Sequence, residues 1–205
     1  MSFVIKNVYP GNLNALVKNL MTQMGIDDPN EAVRLINSGK WVVKQVDLSG
    51  FSTWKTVVVG NLSNAKTARK RLKDVGVKIT DWGSDILERV TFGNTEAPLD
   101  LVQVSVEELG LKIGGTAAEI FAAAGRHGLS LCPAEVAPQS WLQHPDLLPR
   151  GKWLLVAMEA IVDSASDPLG LCLGHTDKDC LLDVYDGRPG CRWSADRTWI
   201  FRRCK

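Results

Sequence analysis

The 205-residue sequence contains no long hydrophobic run. Its longest apolar stretch, residues 153–161, is interrupted by Glu159 and is far shorter than the roughly 20 residues that a membrane-spanning helix needs. The chain does not open with a basic segment followed by an apolar run, so we expect no secretory signal. The sequence therefore predicts a soluble protein that has no membrane partner.

Net charge is also nearly absent, at +1, so no overall field favours a nucleic acid or a membrane surface. The charge is nevertheless uneven, because residues 1–95 carry +5 and residues 96–205 carry −4. Glycine, asparagine and proline interrupt any regular pattern at residues 93–98, where the sign changes. We interpret this as two modules, a basic one at 1–95 and an acidic one at 96–205.

Cysteine is scarce and odd in number, since the chain has five. Without a secretory signal, this favours free thiols in a reducing cytoplasm. Cys172, His175 and Cys180 lie within nine residues, and Cys191 follows as a fourth candidate zinc ligand. No Cys-x-x-Cys pair is present and the spacing matches no common zinc finger. We therefore predict no metal and no cofactor, and interpret these cysteines as buried or idle.

Apolar spacing predicts an α+β fold that begins with a small module of helices and a β-hairpin. Asp28, Pro29 and Glu31 have the pattern of a helix start, and Ser63 is a candidate cap for a later helix. We expect Trp82, Ile86 and Leu87 to be buried by the last helix of this part. The predicted helices are residues 13–24, 29–36, 63–74 and 81–88, and the predicted strands are residues 41–46 and 53–59.

The second part predicts an antiparallel sheet with one helix packed against it. Thr116 and Glu119 form a capping-box pattern before the apolar residues of that helix. Residues 132–148 are rich in proline, which indicates an irregular segment. Trp199 and Phe201 are expected on the buried face of the last strand, with Arg202 outside. The predicted strands are residues 101–106, 153–162, 180–185 and 199–203.

Five segments carry specific combinations of residues: 53–56, 80–87, 131–136, 152–164 and 192–202. Together they resemble a group of uncharacterised bacterial hypothetical proteins, and the resemblance covers most of the chain. It implies a bacterial, soluble protein. It implies no activity, so no catalytic residue is transferred from it.

The most basic stretch of the chain is residues 66–73, which lies on one of the predicted helices. Helical spacing places four cations, Lys66, Arg69, Lys70 and Lys73, on one face of that helix. A bound polyanion would relieve their mutual repulsion. Trp54 and Trp82 are near in sequence and are candidates for base stacking. The alternative is a solvated helix face with both tryptophans in the core. The predicted binding residues are Lys66, Arg69, Lys70, Lys73 and Lys78.

Three carboxylates are candidates for acid–base chemistry: Glu135, Glu159 and Asp163. Glu159 either enters the core, with Arg192 or Arg202 as partner, or lies on a half-exposed strand face if alternation holds. No common catalytic motif is present. We therefore favour a non-enzymatic binding protein whose partner is a nucleic acid or an acidic protein, and the alternative is a carboxylate-dependent hydrolase. The sequence does not indicate which oligomeric state the protein adopts.

Overall fold

The computed structural model describes residues 27–38 and 50–204 of the chain. Contacts divide the chain into two units, Met1–Val46 and Asp47–Lys205. In the first unit the structure describes helix α1 (Pro29–Asn37). The Asp28 carboxylate accepts a hydrogen bond from the Asn30 backbone N–H at 2.9 Å, and Pro29 opens the helix where its missing N–H costs nothing. This helix is confirmed, whereas the predicted helix at 13–24 and strand at 41–46 lie outside the described residues.

The second unit contains helices and strands in an α+β arrangement, which confirms the predicted class. None of the helices in the described residues is long and apolar enough to cross a membrane. Its helices are α2 (Ala65–Asp74), α3 (Asp81–Arg89), α4 (Ala117–Arg126) and α5 (Val136–Gln143). Its strands are β1 (Lys55–Val59), β2 (Val77–Ile79), β3 (Ala97–Ser105), β4 (Gly115–Thr116), β5 (Leu129–Ser130), β6 (Lys152–Val156), β7 (Ile161–Val162), β8 (Pro168–His175), β9 (Cys180–Asp186), β10 (Arg192–Trp193) and β11 (Thr198–Arg203).

Nine of these strands form one sheet. Its main order is β1-β3-β11-β6-β8-β9-β2, with β5 beside β11 and β7 beside β8. Most neighbours are antiparallel, but β6 and β11 are parallel, and so are β2 and β9. The sheet is therefore mixed, whereas the sequence pattern predicted a purely antiparallel one. Strands β4 and β10 form a separate two-stranded ladder.

The division of the chain at residues 95/96 is not confirmed. Strand β1 pairs with β3, and β2 pairs with β9, so strands from both sides of the predicted linker belong to one sheet. Strand β3 begins at Ala97, inside the segment that we expected to be a linker. The prediction failed because net charge depends on surface residues. Strand pairing depends instead on apolar faces and backbone hydrogen bonds, so a change of charge along the chain does not mark a boundary in the sheet.

Two apolar cores lie on opposite faces of the central strands. Leu154 and Val156 of β6 belong to the first core, which α2, α3 and α5 cover, whereas Leu155 belongs to the second, which α4 covers. Strand β11 alternates in the same way, with Trp199 and Phe201 in the second core. The buried face of β11 is therefore confirmed. Of the two alternatives for Glu159, burial in the core is wrong, because Glu159 is exposed; the residues of β6 do alternate, but both faces are buried and Glu159 lies beyond its last residue, Val156.

Strand β8 was not predicted, because glycines weaken a strand pattern. Gly170 lies opposite Tyr185 of β9, and Gly174 lies opposite Trp153 of β6. A Cβ atom on Gly170 would lie 2.2 Å from the ring of Tyr185, and one on Gly174 would lie 2.5 Å from the ring of Trp153. Each aromatic ring thus covers a glycine on the neighbouring strand, and this packing lets β8 run through the centre of the sheet.

Three boundaries differ from the sequence prediction. Helix α5 lies within residues 132–148, which we predicted to be irregular, because Pro138 is in the first turn, where its missing N–H is tolerated. The apolar stretch after Lys152 ends its pairing at Val156 and resumes at β7. The cap of α2 is Asn64 rather than Ser63, since the Asn64 side chain accepts from the Thr67 N–H at 2.9 Å.

Candidate functional site

Helix α2 exposes a continuous basic face. Ala65, Ala68 and Leu72 are buried against the first core, as the spacing predicted. The opposite side carries exposed cations, and none of them forms an ion pair with another residue that the structure describes. We call this surface the basic face; its residues are Lys66, Lys70 and Lys73, and exposed Arg71 lies about 100° further around the helix axis.

Two of the five predicted binding cations are instead held by partners within the protein. The Arg69 guanidinium donates to the Ser84 hydroxyl and carbonyl at 3.0 and 2.8 Å and contacts the Glu88 carboxylate at 2.5 Å. Lys78 lies 2.7 Å from the Asp179 carboxylate. Arg69 therefore joins α2 to α3, and Lys78 joins β2 to the turn before β9.

The tryptophans do not provide a stacking surface beside the basic face. Trp54 packs against the first core. Trp82 is 56% exposed, so its predicted burial is wrong; Gly83, Ile86 and Leu87 form the buried side of α3. Trp82 lies roughly 160° around the helix axis from Ser84 and roughly 120° from Glu88, the two residues that Arg69 of α2 contacts. It therefore faces away from α2.

Glu135 is a structural acceptor. Its carboxylate oxygens accept from the Gly60 N–H at 3.0 Å and the Gly93 N–H at 3.3 Å. Further along α5, the Gln143 amide accepts from the Val58 N–H at 2.9 Å and donates to the Val58 carbonyl at 2.7 Å. The Gln143 contacts satisfy both backbone groups of Val58 in β1, and the Glu135 contacts satisfy the N–H groups of Gly60 and Gly93 outside it. Helix α5 therefore lies along that strand.

The three candidate carboxylates do not converge. Asp163 is buried, and its Oδ1 accepts from the N–H groups of Ala165 and Asp167, both at 2.8 Å, which closes the turn between β7 and β8. Glu159 is exposed, and neither Arg192 nor Arg202 pairs with it, since Arg192 lies 3.9 Å from Glu119 instead. Of the three, only Glu159 lines a cavity described below.

The cysteine and histidine residues also lie apart. Cys172 belongs to the second core, whereas Cys180 packs against the first core, so the two thiols are on opposite faces of the sheet. Nδ1 of His175 lies 2.6 Å from the Leu148 carbonyl, and Cys191 follows β9. Burial raises the pKa of the Cys172 thiol far above its ordinary value. Within residues 27–38 and 50–204, no three metal-binding side chains form a group.

A groove of about 660 Å³ was not anticipated from the sequence. Its residues come from four separate stretches of chain, 89–91, 131–134, 158–161 and 202, so no motif marks it. Its charged lining residues are Arg89, at the end of α3, Arg202 of β11, and Glu159. Its other lining residues are Thr91, Leu131, Cys132, Pro133, Ala134, Met158 and Ile161.

A second cavity of about 340 Å³ shares Leu131, Met158 and Glu159 with the groove, so the two adjoin. Phe121 of α4 lines it, and Glu159 is the one charged residue among its described lining residues. The rest of its lining is Ala118, Ala160, Pro168, Gly187 and Pro189. The structure therefore joins a groove with two guanidinium groups to an apolar cavity. We call the pair the cleft.

The candidate surfaces are thus the basic face of α2 and the cleft beside Glu159. The resemblance to uncharacterised bacterial proteins stays a prediction, and the function is inferred from the chain's own residues. Comparison of the chain with protein-family models, with curated proteins and with solved structures finds no match.

Proposed function

We propose that this protein is a non-enzymatic binding protein that holds a polyanion on the basic face of α2. The observation that carries the proposal is the set of exposed cations on that face, none of which forms an ion pair with a described residue. Asp74, four residues after Lys70, is the one carboxylate in α2, so positive charge is in excess along the helix. Lys66 and Lys70 are four residues apart, and Lys70 and Lys73 three apart, so like charges face each other along one side of the helix.

This charge arrangement is unfavourable for the isolated helix. Each like-charged pair at this spacing costs about 0.2–0.5 kcal/mol, and α2 already has its buried side and its cap for folding. A row of phosphates or carboxylates would turn that repulsion into attraction and release counterions. The proposed partner is therefore a nucleic acid backbone, with an acidic protein surface as the alternative.

The position of Trp82 indicates which parts of a nucleic acid the basic face would contact. Because this side chain faces away from α2, the basic face has no neighbouring aromatic platform in α3 on which bases would stack. We expect contacts to phosphates, which position a nucleic acid without reading its sequence. Binding to a duplex is then at least as strong as binding to a single strand of the same length.

The hydrolase alternative has less support, since Glu135 and Asp163 accept backbone hydrogen bonds and neither is among the described lining residues of the cleft. The proposed compartment remains the cytoplasm. All five cysteines are free, and a reducing environment keeps thiols in that state.

The test is a titration of a short labelled duplex at about 50 and about 200 mM salt. With three to four phosphate contacts, affinity is expected to fall roughly 40- to 150-fold over that range. Replacing Lys66, Lys70 and Lys73 together by Gln removes the binding at low salt. A matched control replaces three exposed cations elsewhere, Lys112, Arg126 and Lys152, by Gln and retains most of it.

Two results would contradict the proposal. If the wild-type protein does not bind the duplex at low salt, the nucleic-acid form is wrong, and titration with polyglutamate then tests the acidic-protein form. If the control variant loses as much affinity as the α2 variant, total charge rather than the basic face controls binding.

A further inference from the structure

We propose that the cleft binds an amphipathic carboxylic acid, with the carboxylate held by Arg89 and Arg202 and the alkyl chain in the apolar cavity. This site is separate from the basic face of α2, and it is independent of the proposed polyanion function. The proposal depends on the charges of the groove, on the apolar lining next to it, and on the position of Glu159.

The guanidinium group of Arg202 is positioned to bind an anion. Its Nε donates to the Leu131 carbonyl at 2.8 Å, which fixes the plane of the guanidinium against the wall of the groove. Its two Nη groups have no hydrogen-bond partner among the described residues. A guanidinium presents paired N–H donors that match the two oxygens of a carboxylate. The group therefore offers a preoriented contact for a carboxylate head.

Arg89 supplies a second cation to the same groove. Its contacts to Asp85 are long, at 3.3 and 3.4 Å, and Asp85 also accepts from the Ser164 N–H at 2.8 Å. That carboxylate is shared, so it neutralises Arg89 only in part. Among the described residues, the groove lining carries two positive charges and one negative charge, and Asp85 behind Arg89 offsets part of the positive excess. A single anion is the complementary ligand.

The adjoining cavity fits the apolar part of the same ligand. Phe121, Pro168 and Pro189 contribute apolar walls, and both cavities share Met158, a buried side chain whose sulfur accepts from the Leu171 N–H at 3.3 Å. Both cavities fall within the range of roughly 300–1,000 Å³ that is typical of small-molecule sites. A polyanion would gain no binding free energy from the apolar cavity. An alkyl chain would gain it there, because its apolar surface would be removed from water.

Glu159 lies where the two cavities meet and is exposed. Its carboxylate disfavours a second negative group at the junction, so it selects a monoanion and directs its charged end toward the arginines. Its presence also weakens the binding of any anion in the groove. Neutralising it is therefore expected to strengthen binding.

The experiment is isothermal titration calorimetry with decanoate below its micelle concentration. We expect saturable binding of one decanoate per chain. Affinity should rise from hexanoate to decanoate by up to about fourfold for each added methylene, as its surface is buried. Two ligands with the same chain, 1-decanol and decyltrimethylammonium, lack the carboxylate and should bind at least about tenfold more weakly.

Four variants locate the site. Arg202→Gln and Arg89→Gln should each weaken decanoate binding by about tenfold, the loss expected for one charged hydrogen-bond donor. Glu159→Gln should strengthen it severalfold, a gain that misfolding cannot produce. The matched control is Arg197→Gln, an exposed arginine just before β11, five residues and about 16 Å of extended chain from Arg202, which should leave the affinity unchanged.

The proposal is wrong if decanoate shows no saturable binding, if 1-decanol binds as tightly as decanoate, or if Glu159→Gln does not strengthen binding. It is also wrong if Arg202→Gln and Arg197→Gln bind decanoate equally well. The variant with Lys66, Lys70 and Lys73 replaced should bind decanoate like the wild type, so failure at one site is distinguishable from failure at the other.

Discussion

Replacing Gly170 by Ala tests whether an aromatic ring over a glycine holds β8 at the centre of the sheet. The added Cβ would lie 2.2 Å from Cζ of Tyr185 and 2.4 Å from its hydroxyl oxygen. Carbon atoms in contact are normally about 3.5–4.0 Å apart. The ring must therefore move by more than about 1 Å or the two strands must separate.

The cost follows from what Tyr185 contacts. Its hydroxyl donates to the Val156 carbonyl at 2.8 Å, and its ring lies edge-to-face with Trp193 and Trp199 at centroid distances of 5.7 and 5.2 Å. Overpacking a core costs about 1–3 kcal/mol, a lost hydrogen bond about 1 kcal/mol, and a lost aromatic pair about 0.5–1.5 kcal/mol. The reduced entropy of the unfolded chain returns about 0.4–1 kcal/mol.

These contributions give an expected loss of about 2–4 kcal/mol in the free energy of unfolding. Urea unfolding followed by tryptophan fluorescence measures it as a midpoint lower by about 1 M or more. The matched control is Gly125→Ala in α4, where the new methyl group meets no atom within 4 Å. It should stabilise the protein by about 0.5–1 kcal/mol, because alanine favours a helix. A Gly170→Ala midpoint equal to that of the wild type would refute the packing argument.

Three further predictions concern single groups. Arg69→Gln should lower the free energy of unfolding by about 1–2 kcal/mol in urea, because it breaks the contacts between α2 and α3, whereas Lys70→Gln should change it by less than about 0.5 kcal/mol; equal effects would contradict a bridging role. Hydrogen bonds from the Arg188 side chain lower the pKa of Asp186 to about 2, so its stabilising effect is present above the ordinary value and is lost as the pH falls through about 2. An NMR titration should show this pKa rising toward normal in Arg188→Gln, and an unchanged pKa would exclude Arg188 as the cause. Burial raises the pKa of Cys132 to about 12, so iodoacetamide at about pH 8 should label Cys204 in the native protein and reach Cys132 and Cys172 only after unfolding, as mass spectrometry would show; labelling of Cys132 in the native state would contradict its burial.

Local patterns were sufficient for elements whose signals lie within a few residues. The capping box between Thr116 and Glu119 forms as predicted, with the Glu119 carboxylate accepting from the Thr116 N–H at 2.7 Å. The buried side of α2 and the buried face of β11 were also read correctly, because each depends on one period of apolar residues. These features need no knowledge of distant contacts.

Features that depend on distant partners were missed. Strand β8 is stable because Tyr185 and Trp153 cover its glycines, and neither ring is adjacent in sequence. Arg69 was predicted to bind a ligand because the helical spacing shows which side of α2 it occupies. The spacing does not show that Ser84 and Glu88 of α3 lie against that side. The cleft was missed for the same reason, since Arg89 at the end of α3 and Arg202 of β11 line one groove only in the folded chain.

Binding of a polyanion on the basic face of α2 is tested most directly by NMR. The measurement is the change in amide chemical shifts when a short DNA duplex is added at low salt. We predict that the largest changes occur at residues 64–74 and disappear as salt is raised. Changes concentrated elsewhere in the chain, or changes in residues 64–74 that persist at high salt, would contradict it.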